Sequence, residues 1–433
     1  MHKRFAHFIF VILCFQLISC GSSGGSASPD ISPQTKGMVS SARLVENNDL
    51  FSAQSVALDV NNTGVVVVVW TYLTNIVNSE IWANVYFPQS GWIGEQQLSG
   101  EISSLNIQVA VSEENDAVVI WSSLNEGIWS SRFINGTWQP SEQVSVNGVS
   151  PRLAKDHSDI SDAVMTWSTN SREIYISKLV TDTGWTGAEK VPTKLPTEST
   201  SFDVFNPSIG ADKKGNIYVT WWSLDGFRQN IFEQNSGWLG PSLIGKTMVR
   251  NAILSVSSEG QAVLVWKEIS GVDSNLHTSI YETGNWSIPK ISHSFTGLIF
   301  NPITAQIDDK GKIWLVWDVI TGNENLSTQV KSIHYKFDNG WSDQVEVLSD
   351  KIGSEQISNS TFGRNNDPIT VWGSTSGIYG SISNQNEKRD TILLIDEPGQ
   401  KPLLAYSDDS TLLIWLQKSE GGKNNIWYST WDI

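Results

Sequence analysis

The sequence predicts an all-β protein, a propeller of eight four-stranded blades whose last blade is closed by a strand from the start of the folded head. Three observations predict it. A β-rich phrase ending in tryptophan recurs at Trp70, Trp121, Trp167, Trp221, Trp266, Trp317, Trp372 and Trp415, spaced by 51, 46, 54, 45, 51, 55 and 43 residues. A second phrase, a polar turn running into tryptophan, follows most of the first ones. No long apolar pattern with helical period appears in the body of the chain. Repeats of this length, each with several short strands, are the signature of propeller blades.

Each element of the repeat has a local reason. The first strand ends at a polar turn such as NNTG, DKKG, SSEG or DDKG. Gly and Asn accept the positive φ that a tight hairpin needs. The second strand is a nearly continuous apolar run, as in GVVVVVW ending at Trp70. β-branched residues pack well on a pleated surface, and unbroken apolar runs suit strands covered on both faces. The third strand carries an aromatic after Ile at Trp82, Trp129, Tyr175, Tyr379 and Trp427. Alternation sends that aromatic to the face opposite the Ile. The next turn reads QSGW at Trp92, NGTW at Trp138, DTGW at Trp185, NSGW at Trp238, TGNW at Trp286 and DNGW at Trp341, and leads into the fourth strand. In the seventh unit NQNEKRD, at Asn384 to Asp390, replaces this turn.

The ends explain how the ring shuts. The last unit stops at IWYSTWDI, a third strand. The missing fourth strand is available at Ser40 to Asn48, SSARLVENN, which resembles the fourth-strand text PSEQVSVN at Pro140 to Asn147. Closing this way leaves no unpaired sheet edge.

Ahead of the head lies an address. Lys3 and Arg4 precede an apolar run from Phe8 to Ile18, a secretion-signal pattern too short for a stable transmembrane helix. Leu17-Ile18-Ser19-Cys20 resembles the lipobox of bacterial lipoproteins. That resemblance implies cleavage before Cys20, lipid on its sulfur and a membrane-anchored protein of the cell envelope, at the outer membrane or cell surface. Residues 1–19 are then the signal peptide, 20–37 a Gly-, Ser- and Pro-rich tether, and 38–433 the propeller. Cys14 falls in the signal, so the exported body has no disulfide and no thiolate chemistry.

Composition narrows the function. The body keeps 414 residues, and losing Lys3 and Arg4 takes the net charge from −16 to −18. Nucleic acid is excluded as a partner, because its binding rests on Lys and Arg neutralising phosphates. A monomer is expected, with a glycan or an envelope protein as ligand.

The repeat texture over residues 38–433 resembles the sialidase-like and lectin-like propellers of exported bacterial proteins. The Asp-box of sialidases, Ser-x-Asp-x-Gly-x-x-Trp, is intact in no unit; fragments remain at Ala211-Asp212 with Gly215 and at Asp308-Asp309 with Gly311. The sialidase resemblance implies three converging arginines and a tyrosine nucleophile with its glutamate. Arg152 and Arg250 supply two positions, and Arg43, Arg132, Arg172, Arg228, Arg364 and Arg389 supply no third at an equivalent strand start. The eight-bladed lipoprotein of the outer-membrane assembly machinery is similar in anchor and blade number, but its quinoprotein-type motif is missing here.

Candidate ligand-binding residues are the strand starts that face the central funnel: Gln54, Asn106, Ser150, Asn206, Asn251, Asn301, Gln356 and Lys401, with Arg152 and Arg250 beside them. Pro follows at Pro151, Pro207, Pro302 and Pro402. Six of the eight are amides, which donate and accept and so suit sugar hydroxyls or peptide backbone. The alternative is that each amide ties its strand to the neighbouring blade. The Gly-Trp turns likewise read as inter-blade packing or as platforms for sugar rings. The Asp308-Asp309 and Asp408-Asp409 turns are candidates for Ca2+, with solvated turn carboxylates as the alternative. His157, His277, His293 and His334 show no metal-ligand spacing. Three functions remain: a binding module, a scaffold in envelope assembly, and a divergent glycoside hydrolase.

Overall fold

In the computed structural model eight antiparallel sheets surround one axis, and each is built from consecutive strands except the last. The structure describes residues 39–47, 51–158, 162–194, 204–249, 251–271, 273–297, 303–321, 327–349, 356–363, 367–383, 389–407 and 411–431. All of them belong to the unit Pro33–Ile433, and none is helical. The leader, Cys20, the tether, Arg250, Asn301, Arg364 and the Asp408-Asp409 turn lie outside the described residues.

Blades 1 to 8 begin with the innermost strands Ser52–Val60, Ser104–Val111, Gly148–Lys155, Phe205–Ala211, Ala252–Val256, Thr304–Ile307, Gln356–Phe362 and Gln400–Tyr406. These strands neighbour one another around the ring, and that of blade 1 returns to that of blade 8. The second strands are the core. Ala117–Ser123, Ala163–Thr169, Ile217–Ser223 and Pro368–Ser374 are buried along their whole length. All eight repeat tryptophans are at most 2% exposed. Each stands directly across from one third-strand residue: Trp82, Trp129, Tyr175, Arg228, His277, Lys331, Tyr379 or Trp427. The third-strand aromatics therefore share the tryptophan face. Tyr175, His277 and Tyr379 stack on their partners with centroids 5.9, 5.4 and 6.1 Å apart.

The fourth strand differs from the sequence expectation. In blades 1 to 6 it is broken into two pieces that both pair with the third strand, the second running to seven residues in blade 5. In blade 1, Gly91–Trp92 pairs with Phe87 and Tyr86, and Gln96–Gln97 pairs with Ala83 and Trp82. The break falls at Gly94 (φ 109°), and at the matching Gly187 (φ 90°) and Gly240 (φ 102°). The Gly-Trp tryptophan is thus the first piece of a strand rather than the end of a turn. Its ring packs on the cross-strand aromatic, at 5.3 Å for Tyr86–Trp92, 5.5 Å for Phe232–Trp238 and 5.3 Å for Tyr335–Trp341. Several reach the preceding blade: Trp185 Nε1 donates to Ser130 Oγ (2.9 Å), and Trp238 Nε1 to Glu189 Oε1 (2.7 Å). Blade 7 has a continuous fourth strand, Arg389–Ile395.

The ring closes as the sequence predicts. Arg43 and Leu44 pair with Tyr428 and Trp427, completing blade 8. Val45 N donates to Ile426 O (2.9 Å) and Ser40 N to Thr430 O (3.0 Å). The inserted segment occupies the place of a true fourth strand. Asn84 of blade 1 donates to Val45 O (2.8 Å) just as Asn230 of blade 4 donates to Pro192 O of blade 3 (2.9 Å).

Candidate functional site

The axis has two mouths, one at the strand starts and one at the first-to-second-strand turns. The expected ring of amides sits at the first. Six innermost strands bulge there, gaining residues opposite the second strand. Asn106, Ser150, Asn206 and Lys401 occupy the left-handed region, with φ of 56, 53, 48 and 49°. Asn is the residue that tolerates this region best after Gly, which gives the amides a backbone reason. Neighbours in the ring also touch: Asn206 Nδ2 donates to Asn251 Oδ1 (2.9 Å), and Lys401 Nζ to Gln54 O (3.1 Å). Gln356 pairs with Gly373 one residue before its bulge, so the equivalent of Asn106 is Ile357.

Further ties between innermost strands come from residues beyond the ring. Gln108 donates to Pro151 O (2.8 Å) and accepts from Leu153 N (2.9 Å), and Asn359 Oδ1 accepts from Leu404 N (3.2 Å). Arg152 donates to Pro151 O (3.0 Å), and burial holds its guanidinium below the usual value. Arg132 pairs with Glu142, Arg172 lies over Phe205, and Arg228 pairs with Asp225. These described arginines are each engaged within their own part of the ring and do not converge.

The second mouth holds what the sequence reading missed. Here a chamber of about 1040 Å³ opens among the turns of blades 1 to 6. Its frame is a set of links between successive blades. Asn61 Nδ2 donates to Ser112 O and to Asn115 Oδ1, both at 2.8 Å. Glu113 accepts from Asn62 N (3.1 Å) and pairs with Lys155 Nζ (2.6 Å), joining blades 1, 2 and 3. On the far side Lys213 pairs with Glu259, and Ser258 donates through N (3.1 Å) and Oγ (2.6 Å) to Asp309. His157 lines the chamber, where desolvation and then the Lys155 charge lower its pKa. Glu113, Glu114, Asp156, Asp162, Asp182 and Asp309 outnumber Lys155 and Lys213 in the lining. A chamber so lined concentrates positive charge and repels negative charge.

The Asp-box fragments have structural work. Asp212 Oδ1 accepts from Lys214 N (2.9 Å) and Asn216 N (3.0 Å), and Asp308 Oδ1 from Lys310 N (2.9 Å) and Lys312 N (2.8 Å). Each carboxylate closes its own turn. Among the described residues no group of three or more His, Cys, Asp or Glu is placed to hold a metal ion.

Asp59, near the end of the innermost strand of blade 1, accepts from Val111 N of blade 2 (2.7 Å). Burial raises its pKa, and Lys155 opposes the rise. A carboxyl whose pKa is raised on folding binds protons better in the folded state. Its charge therefore destabilises the fold at neutral pH, and that cost fades as pH falls through the folded pKa towards the ordinary value. Asp59→Asn, which keeps an acceptor for Val111, is expected to raise Tm at pH 7. The gain should shrink as pH is lowered to 4; a gain that grows on acidification would contradict the assignment.

The fold and this chamber define an eight-bladed β-propeller with a polar, negatively charged cavity on its axis. No family model matches the sequence, and no curated protein matches it. Its fold is similar to that of several solved structures. The polysaccharide lyase Uly1 aligns with a TM-score of 0.50 at 9% identity, over 86% of this chain and 88% of that one. A protein of unknown function from Dyadobacter fermentans aligns at 0.44 and 12% identity, over 92% and 99%. The six-bladed fucose-recognising lectin of Aleuria aurantia aligns at 0.41 and 14%, over 68% and 95%. At 9% identity the Uly1 alignment shows likeness of fold alone.

Proposed function

We propose that this chain is a lipid-tethered binding protein of the bacterial cell envelope. Lipid on Cys20 anchors it at the outer membrane or cell surface, residues 20–37 form the leash, and the propeller captures a glycan or protein ligand. The observation that carries the reading is the chamber at the turn mouth, large enough for a sizeable ligand and walled by polar groups held in fixed pairs. Its excess of carboxylates selects a neutral or amino-bearing ligand over an anionic one.

A glycan array probed with the full chain, with and without calcium, tests this. Binding to neutral or amino-sugar glycans is expected, with sialylated and sulfated ones rejected. Glu114 and Asp182 are exposed chamber residues. The double variant Glu114→Lys, Asp182→Lys should weaken an amino-bearing ligand by about tenfold at low salt. Preference for anionic glycans would overturn the reading. A blank array with a single envelope protein crosslinked through the chamber would assign the ligand as protein.

A further inference from the structure

A second cavity lies away from the axis, in the seam between blades 5 and 6. It is an open groove of about 440 Å³. Trp286 and Ser287 border it from blade 5, and Tyr335 and Trp341 from blade 6. Tyr335 and Trp341 are half-buried and meet at 5.3 Å with their planes at 57°, so two aromatic surfaces form a corner. Glu282, Asn285 and Lys290 stand exposed at the rim. Glu282 and Tyr335 line the same cavity, and burial and then the Glu282 charge hold the Tyr335 hydroxyl above its ordinary pKa.

Other seams show what this place does when it is structural only. Trp185 is bonded across its seam to Ser130, Trp238 is bonded to Glu189, and the Trp92 ring meets Tyr428 at 5.3 Å. Trp341 occupies the equivalent position; like Trp138 and Trp286 it makes no hydrogen bond across its seam among the described residues, and part of its ring packs on the core shared by blades 5 and 6. An open groove stands there instead. The hairpin that shapes the groove is also costly. Glu282 pairs with Asn285 around Thr283 (φ 51°) and Gly284 (φ 85°), a type I′ arrangement. Blade 2 builds the same hairpin with Asn135 (φ 50°), a residue suited to it. Thr is β-branched and strained at positive φ, and strain of this kind concentrates where a site fixes its geometry.

We propose that the groove between blades 5 and 6 is a saccharide-binding site that takes a neutral pyranose. The aromatic corner meets the C–H face of the ring, Glu282 accepts from ring hydroxyls, and Asn285 and Lys290 donate to them. Acid and base at one rim offset each other, so neither an anionic nor a cationic sugar is favoured. The volume lies within the range of small-ligand pockets. This site is separate from the chamber, and its occupancy does not require a chamber ligand.

The test uses the full-length chain in detergent and the methyl glycosides of glucose, galactose, mannose and N-acetylglucosamine as probes. Saturation-transfer NMR is expected to show contact with at least one, and a tryptophan fluorescence titration gives its Kd. Trp341→Ala should weaken that Kd by about tenfold, the loss expected when a stacked aromatic surface is removed. Trp341→Phe should retain binding. Lys290→Ala leaves the aromatic packing in place and should weaken binding by a smaller factor, which keeps the test decisive if Trp341→Ala does not fold. No saturation transfer from any probe, or unchanged Kd in a folded Trp341→Ala or Lys290→Ala variant, overturns the site.

Discussion

Removing residues 38–48 is expected to unfold the propeller as a whole. The segment does more than add a strand to blade 8. Val45 is 2% exposed and Glu46 1% exposed, so both are driven into the seam between blades 8 and 1. Tyr72 OH of blade 1 donates to Glu46 Oε2, and Ile426 N of blade 8 donates to Glu46 Oε1 (3.0 Å). One carboxylate thus holds the first and last blades together, and it raises the Tyr72 pKa further above what burial alone would. Without the segment the third strand Asn424–Thr430 becomes an open edge and the ring has a gap. Glu46→Ala isolates the latch. It removes the acceptor of the Ile426 N–H and one partner of the Tyr72 hydroxyl, at a cost of roughly 1–3 kcal/mol. Urea denaturation of the two variants gives the check. The deletion should abolish the native transition, and Glu46→Ala should lower its midpoint with an unchanged slope. A deletion variant that unfolds like the wild type would show that the ring is shut by other contacts.

The closure was legible because the chain writes it twice, once as an incomplete last repeat and once as a stray fourth-strand phrase at Ser40. The eight tryptophans were legible for a similar reason. A large aromatic at one register of a buried strand has few alternatives, and Trp70 to Trp415 all obey that constraint. The broken fourth strand was hidden because Gly94, Gly187 and Gly240 look like ordinary turn glycines; only the pairing on both sides of them shows a strand that stops and restarts.

The two mouths are unequally visible in the sequence. At the strand starts, the amides were visible as a residue type, but their meaning was not. Asn106 and Asn206 are chosen at least in part by φ, a property that a sequence reports only indirectly, through the company of Ser150 and Lys401 before Pro151 and Pro402. At the turn mouth, Glu113, Lys155, Lys213 and Asp309 each look like a solvated turn charge. Blades set around an axis bring residues from six repeats to one cavity, and no spacing along the chain reports that convergence. A signal did exist. Glu113, Lys213 and Asp309 each lie two residues after the innermost strand, and Lys155 ends one, so projecting the repeat onto a ring gathers them. The same projection sets the chamber apart from the seam between blades 5 and 6, where Trp286 and Trp341 come from neighbouring repeats and face one groove.

Three glycines at the second-to-third-strand hairpins carry the other large expected effect. Gly127 (φ 81°), Gly226 (φ 129°) and Gly377 (φ 153°) begin the third strands of blades 2, 4 and 7. A Cβ at these positions would lie 1.9 Å from Ser145 O, 2.1 Å from Gly245 O and 2.4 Å from Ile395 O. In each case the obstacle is a fourth-strand carbonyl, which cannot rotate away as a side chain can. In each blade the register between third and fourth strands also shifts close to the glycine. The fourth strand therefore crosses over the hairpin where only a missing side chain lets it pass. Valine at any of the three should cost at least about 3 kcal/mol, since a left-handed φ alone costs 1–2 kcal/mol and the backbone must also move. Gly91 (φ 78°) has nothing within 4 Å of the same position, so Gly91→Ala should cost only the conformational part, about 1 kcal/mol. Thermal unfolding of the four variants separates the effects. Equal losses at Gly91 and Gly226 would mean that the close approach of the fourth strand contributes nothing. A much larger loss at Gly127, Gly226 and Gly377 would show that the blades depend on backbone contact between third and fourth strands, the same pairing that the segment at Arg43 and Leu44 restores in blade 8.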